Sequence, residues 1–158
     1  MKKRILCLMF ALLMGVSVLL TSCNDQKKDP NAGFVPPPFD AAAVQGTPTV
    51  PEGLGWNELD AKGVYRVSVC GVVKLQGDRA DIWLTNPATN AVWLKVRVLN
   101  EKGDTLGETG LVKPGEYVQS ITFTKPPKAG DKITMRVMSY QPDSYYSAGE
   151  IKLNTTVS

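Results

Sequence analysis

The chain of 158 residues contains no histidine. That absence removes the commonest general base, the Ser-His and Cys-His nucleophile pairs and most transition-metal sites at one step. Carboxylates are present, but the pairs Asp78/Asp81 and Glu101/Asp104 fall at expected strand ends or in a turn, where solvation accounts for acidic residues. Calcium ligation lacks its usual alternating acidic spacing, and Lys102 sits among Asn100, Glu101 and Asp104. No catalytic residue, no metal site and no cofactor is predicted, and the chain reads as a non-enzyme. Helical periodicity is missing too, apart from a possible turn near Asn57 to Lys62.

The first 23 residues hold no acidic side chain. Lys2, Lys3 and Arg4 precede an apolar run from Ile5 to Leu20, softened by Cys7, Gly15 and Ser17. A basic start, an apolar stretch this short and small residues directly after it form a secretory signal rather than a membrane span. Leu20-Thr21-Ser22-Cys23 resembles the lipobox of bacterial lipoproteins. The resemblance implies cleavage before Cys23 and a diacylglycerol and acyl (palmitate-type) anchor on that residue. Cys23 is thus the predicted lipidation site, and a membrane the predicted first partner.

Removing the signal takes away three of the 18 basic residues and leaves fifteen against 15 acidic ones. A chain neutral in its side chains, without a Lys/Arg run, has no footprint for nucleic acid. Among the cysteines only Cys70 then remains as a thiol, within an apolar stretch that reads as buried core.

Residues 24 to about 55 carry Pro30, Pro36, Pro37, Pro38, Pro48 and Pro51. Proline at this density predicts a semi-flexible tether, about 30 Å in reach for about 32 residues as a coil. Phe34, Val35 and Phe39 are its apolar exceptions, free to dock on a partner, dock on the domain, or do neither. The expected organisation is signal peptide 1–22, lipidated linker 23–55 and one domain, 56–158.

From Trp56 onward, short apolar alternations are broken by Gly, Pro, Asn and Asp every eight to twelve residues, as in an all-β sandwich. Strands are predicted at 64–75, 79–85, 92–100, 105–108, 117–124, 133–140 and 150–156. Val92, Leu94, Val96 and Val98 share the core face of one of them, as do Ala80, Ile82 and Leu84 of another. With Leu84-Thr85-Asn86-Pro87, Asn100 to Asp104, Leu111 to Gly115 and Gly130 at its turns, residues Ala80 to Tyr140 resemble the immunoglobulin-like and fibronectin-III-like modules of bacterial surface proteins. The resemblance implies an antiparallel sandwich of about seven strands. Ile133 stands where such modules often carry a corner tyrosine, so that hydrogen bond is expected to be absent or replaced.

The candidate binding surface is aromatic. Trp83 and Trp93 are out of phase with the core residues of their strands, and Tyr140, Tyr145 and Tyr146 flank the turn Gln141 to Ser144. If the two strands form a hairpin, the tryptophans stand opposite each other as a stacking platform; in the Ig arrangement they belong to different sheets and separate. The expected function is a lipid-anchored, extracytoplasmic protein-binding, assembly or adhesion module at a cell or outer membrane, its partner an envelope protein. The alternative is a carbohydrate-binding module that takes a glycan on these aromatics.

Overall fold

The computed structural model describes residues 34–158. Pro36–Ser158 form one compact unit, which holds every strand found among the described residues. In chain order these are β1 (Val44–Gln45), β2 (Trp56–Asp60), β3 (Arg66–Cys70), β4 (Leu75–Gln76), β5 (Arg79–Thr85), β6 (Trp93–Asn100), β7 (Thr105–Glu108), β8 (Glu116–Thr122), β9 (Lys132–Tyr140) and β10 (Ser147–Thr156). Among the described residues there is no helix.

The strands form the two layers of an antiparallel β-sandwich. One sheet has the order β1-β8-β5-β3-β2, with β4 also on β5; the other has the order β10-β9-β6-β7. Consecutive strands β5 and β6 therefore lie in different sheets, as in the Ig arrangement, and the alternative hairpin does not form. The alternation read from the sequence places the core: Val67, Val69, Ile82, Leu84, Leu94, Val96, Ile121, Met135 and Val137 are all closed to solvent between the layers. Each contributes about 1.5–3 kcal/mol by leaving water. At one corner the sheets nearly touch, because Gly107 bridges Phe123 and a Cβ there would stand 2.6 Å from the Thr122 carbonyl oxygen.

Three features depart from expectation. The segment 64–75 is not one strand: after Cys70 the chain crosses to the second sheet, where Val73 bridges Val157 in parallel, and it rejoins β5 at Leu75. The stretch near Asn57 to Lys62 is no helical turn but edge strand β2, closed by the Asp60 carboxylate, which accepts the Gly63 N–H at 2.6 Å. Pairing to Arg66–Cys70 decides this, against a local composition that does not favour strand.

The third departure lies in the expected linker. From Pro36 the chain is a docked strap, not a free tether. Phe39 bridges Leu111 in parallel, the Leu111 N–H donates to Pro38 O and the Asp40 N–H to Leu111 O, both at 2.9 Å. Val44 and Gln45 then pair with Tyr117 and Glu116, and Pro48 is buried. Consecutive prolines hold an extended backbone ready to lie along a sheet edge. The corner near Ile133 is held without tyrosine: the Asp131 carboxylate accepts the Lys128 N–H at 2.8 Å, and Gly130 and Asp131 exchange backbone bonds with Val157.

Candidate functional site

The structure separates the two tryptophans and gives them different surroundings. Trp83 sits in a β-bulge of β5 between Asp81 and Leu84, with a positive φ of 45°. The extra residue turns its ring onto the outer face of the first sheet, where it is only 9% exposed and stacks on Tyr117 at 6.0 Å and 24°. Its carbonyl accepts the Trp56 indole N–H at 3.0 Å and the Thr85 hydroxyl at 3.1 Å.

Trp93 opens β6 in the other sheet, paired with Tyr140 at the end of β9. Its ring receives Phe39 of the strap edge-on at 4.9 Å and Tyr145 of the 141–146 loop at 5.3 Å. Lys113 lies over the far side of this group, its Nζ 4.4 Å from the Phe39 ring centre. Both Asp143 and Tyr145 have positive φ, and the loop is tied by the Gln141 N–H to Tyr146 O and the Tyr145 N–H to Gln141 O. This leaves Tyr146 59% exposed and Phe39 42% exposed beside half-buried Trp93. Of the predicted surface, Trp93, Tyr140, Tyr145 and Tyr146 gather at one end of the sandwich, whereas Trp83 does not join them. Phe39 takes the docked alternative among those its sequence left open, and Lys113 carried no signal in the sequence.

The loops at this end are set by Asn86. Fully buried, its Nδ2 donates to the carbonyls of Val92 and Val112 at 2.9 Å, and its Oδ1 accepts from Asn90 at 2.6 Å. Asn90 in turn clasps Arg66, receiving its N–H and donating to its carbonyl. One side chain thus fastens β6, the 111–116 turn and the 86–92 connection, which is how the sequence locks the framework under Trp93.

Charge is concentrated on the outer face of the second sheet. Lys95, 5% exposed, donates to Glu108 at 2.7 Å, and Arg97 donates to the other oxygen at 2.8 Å. Burial alone would raise the Glu108 carboxyl, but these two cations outweigh it and hold it below its ordinary value. For Glu150 too burial is the largest single influence and would raise the carboxyl, but the hydrogen bonds and charges of Arg136 and Lys152 together hold it below its ordinary value. These networks tie neighbouring strands of the second sheet to one another.

The remaining candidates have structural explanations. Asn100 Oδ1 accepts the N–H groups of Lys102 and Asp104 at 2.9 Å, and its amide donates to the Asp104 carboxylate: a hydrogen-bonded turn. Among the described residues no group of three His, Cys, Asp or Glu is placed to hold a metal ion. Open hollows of about 390 and 380 Å³ flank Glu101 and Lys132 at the end opposite Trp93. Cys70 is buried; burial, and then the charge of Asp81, push its thiol up to about 11, so it is an inert packing group. Cys23 lies outside the described residues. No protein-family model matches the chain, and no curated protein is significantly similar to it.

Proposed function

We propose that the protein is a lipid-anchored, extracytoplasmic binding or assembly module of a bacterial envelope, held through Cys23 and without chemistry of its own. The observation that supports a protein partner is strand β10. It runs ten residues, Ser147 to Thr156, and pairs with β9 along one edge only among the described residues, until Val157 meets Val73. From Ala148 to Asn154 its second edge offers backbone donors and acceptors to an incoming extended segment, the geometry of strand addition. Half-buried Ile151 and Leu153 on its inner face hold it rigid. The glycan reading has less support, since Trp83 and Trp93 stand in different sheets and Tyr117 covers the Trp83 ring.

The test is photo-crosslinking in cells from a reactive amino acid placed at Lys152 or Asn154, with Lys62 as control. A discrete protein adduct from the β10 positions alone is expected. Adducts equal at all three positions, or none at β10 together with saturable binding of the chain to a glycan panel, would overturn the reading.

A further inference from the structure

The docked strap alters what the anchor does. With Pro36 already inside the compact unit, only twelve residues lie between Cys23 and the domain, which reach at most about 43 Å even at full extension. The chain enters the unit beside the aromatic end. Pro38 bonds Leu111, the next residue, Phe39, touches Trp93, and Pro36 is three residues away. The entry point is fixed because the Asp40 carboxylate accepts the Gly110 N–H at 2.8 Å and the Ala42 N–H at 2.9 Å. A chain anchored through Cys23 therefore joins its domain next to Phe39, Trp93 and Tyr145.

That end has the chemistry of an interfacial contact. Trp and Tyr favour the headgroup level, where an apolar ring and a polar tip are both satisfied. Tyr146 and Phe39 project, and Lys113 brings a positive charge over the Phe39 ring, suited to anionic headgroups. No partner is as concentrated there as the lipid itself, because a short tether makes contact intramolecular. We propose that this aromatic end rests on the lipid headgroup layer, with Trp93, Phe39, Tyr146 and Lys113 as the contact. Strand β10, running away from that end, then stays accessible from the side. The inference rests on the anchored reading of Cys23.

The test couples the chain from Cys23 onward, which contains the whole compact unit, through the Cys23 thiol to a maleimide lipid; buried Cys70 does not compete. Vesicles of phosphatidylcholine and phosphatidylglycerol carry lipids brominated near the headgroup, and tryptophan emission is read. Bromolipid should quench the coupled chain, and Trp93→Phe should remove at least half of that quenching. Lys113→Glu with Tyr146→Asp should reduce it several-fold at an unchanged melting temperature. Emission indifferent to bromolipid, or quenching that survives Trp93→Phe in full, would overturn the proposal, the first outcome leaving this end to a protein or glycan. Because the coupling is chemical, such a failure does not touch the anchor. The anchor fails separately if Cys23→Ala cells incorporate as much labelled fatty acid into the protein as wild type, and the membrane contact then falls with it.

Discussion

Replacing Gly110 by alanine should release the strap while the sandwich stays folded. A Cβ at this position would stand 2.4 Å from the Asp40 nitrogen, 2.5 Å from its Cα and 2.7 Å from the Phe39 carbonyl carbon. All three are backbone atoms, so the strap itself has to move. Moving it breaks the bonds Asp40 N–H to Leu111 O, Leu111 N–H to Pro38 O and Gly110 N–H to Asp40 Oδ2, worth about 1 kcal/mol net each. The Phe39–Trp93 contact adds about 1 kcal/mol. The gross loss of about 4 kcal/mol is partly offset by the backbone freedom that the strap regains. At about 1.4 kcal/mol per tenfold, hydrogen exchange at the Leu111 amide should accelerate about 10- to 1,000-fold. The Val137 amide, deep in β9, should change little, because β9 pairs with β6 and β10 in the sheet that the strap strand β1 does not join. Gly71→Ala is the control, since its Cβ would meet only the Gly55 oxygen at an ordinary 3.5 Å. Unchanged exchange at Leu111 in Gly110→Ala would refute the docking geometry, and equal acceleration at Val137 would show that strap and sandwich unfold as one.

Two further outcomes follow from the polar framework. Asn86→Ala leaves the buried Val92 carbonyl without its donor, while Val112 O keeps the Leu94 N–H; the expected cost is about 2–4 kcal/mol, read as a lower urea midpoint at constant slope. Asn86→Asp, which cannot donate to either carbonyl, should cost at least as much, and a loss below about 1 kcal/mol in either variant would contradict the assigned hub. The second outcome concerns acid. Glu108 and Glu150 both lie below the ordinary 4.5 in the folded chain, so their contribution is complete above that value and is lost as pH falls through the lowered folded values. Urea midpoints should therefore drop between pH 5 and pH 3, and a Glu108→Gln/Glu150→Gln variant should show a flatter dependence over that window; an identical slope in the two proteins would exclude these carboxylates as its source.

The sandwich was legible because its signal is periodic. Alternation in 92–100 and 79–85 names the buried residues of β6 and β5, and a period of two assigns faces without any knowledge of the partner strand. Sheet membership is different: the same alternation allows β5 and β6 to be a hairpin or to face each other across the core, and only the whole topology separates the cases. Edge strands carry weaker signals still. Trp56-Asn57-Glu58-Leu59-Asp60 gains its strand geometry from Arg66–Cys70, and the strap from Leu111 and Tyr117, contacts of long sequence separation that composition does not encode. The aromatic end was half legible for the same reason. Tyr140, Tyr145 and Tyr146 are neighbours in sequence, whereas Phe39 and Lys113 reach Trp93 only through the strap and the 111–116 turn.

The two aromatic groups differ in how far they are covered, and the bulge at Trp83 shows why. A tryptophan at φ 45° bears about 1–3 kcal/mol of backbone strain, which persists only where the surroundings hold it. Here Trp56 and Thr85 both bond its carbonyl and Tyr117 stacks on its ring. Since β2 and β5 are not neighbours, the Trp56–Trp83 bond spans β3 and fastens an edge strand to the sheet centre, closing the outer face around Cys70. A group so constrained has its rings already occupied. Phe39 and Tyr146 keep much of their surface in solvent, on a strap and a loop whose hydrogen bonds fix their direction, so that among the described residues exposed aromatic area gathers beside Trp93. Binding by pre-placed rings loses little conformational entropy, which makes the Trp93 end the surface where contact is cheapest to form.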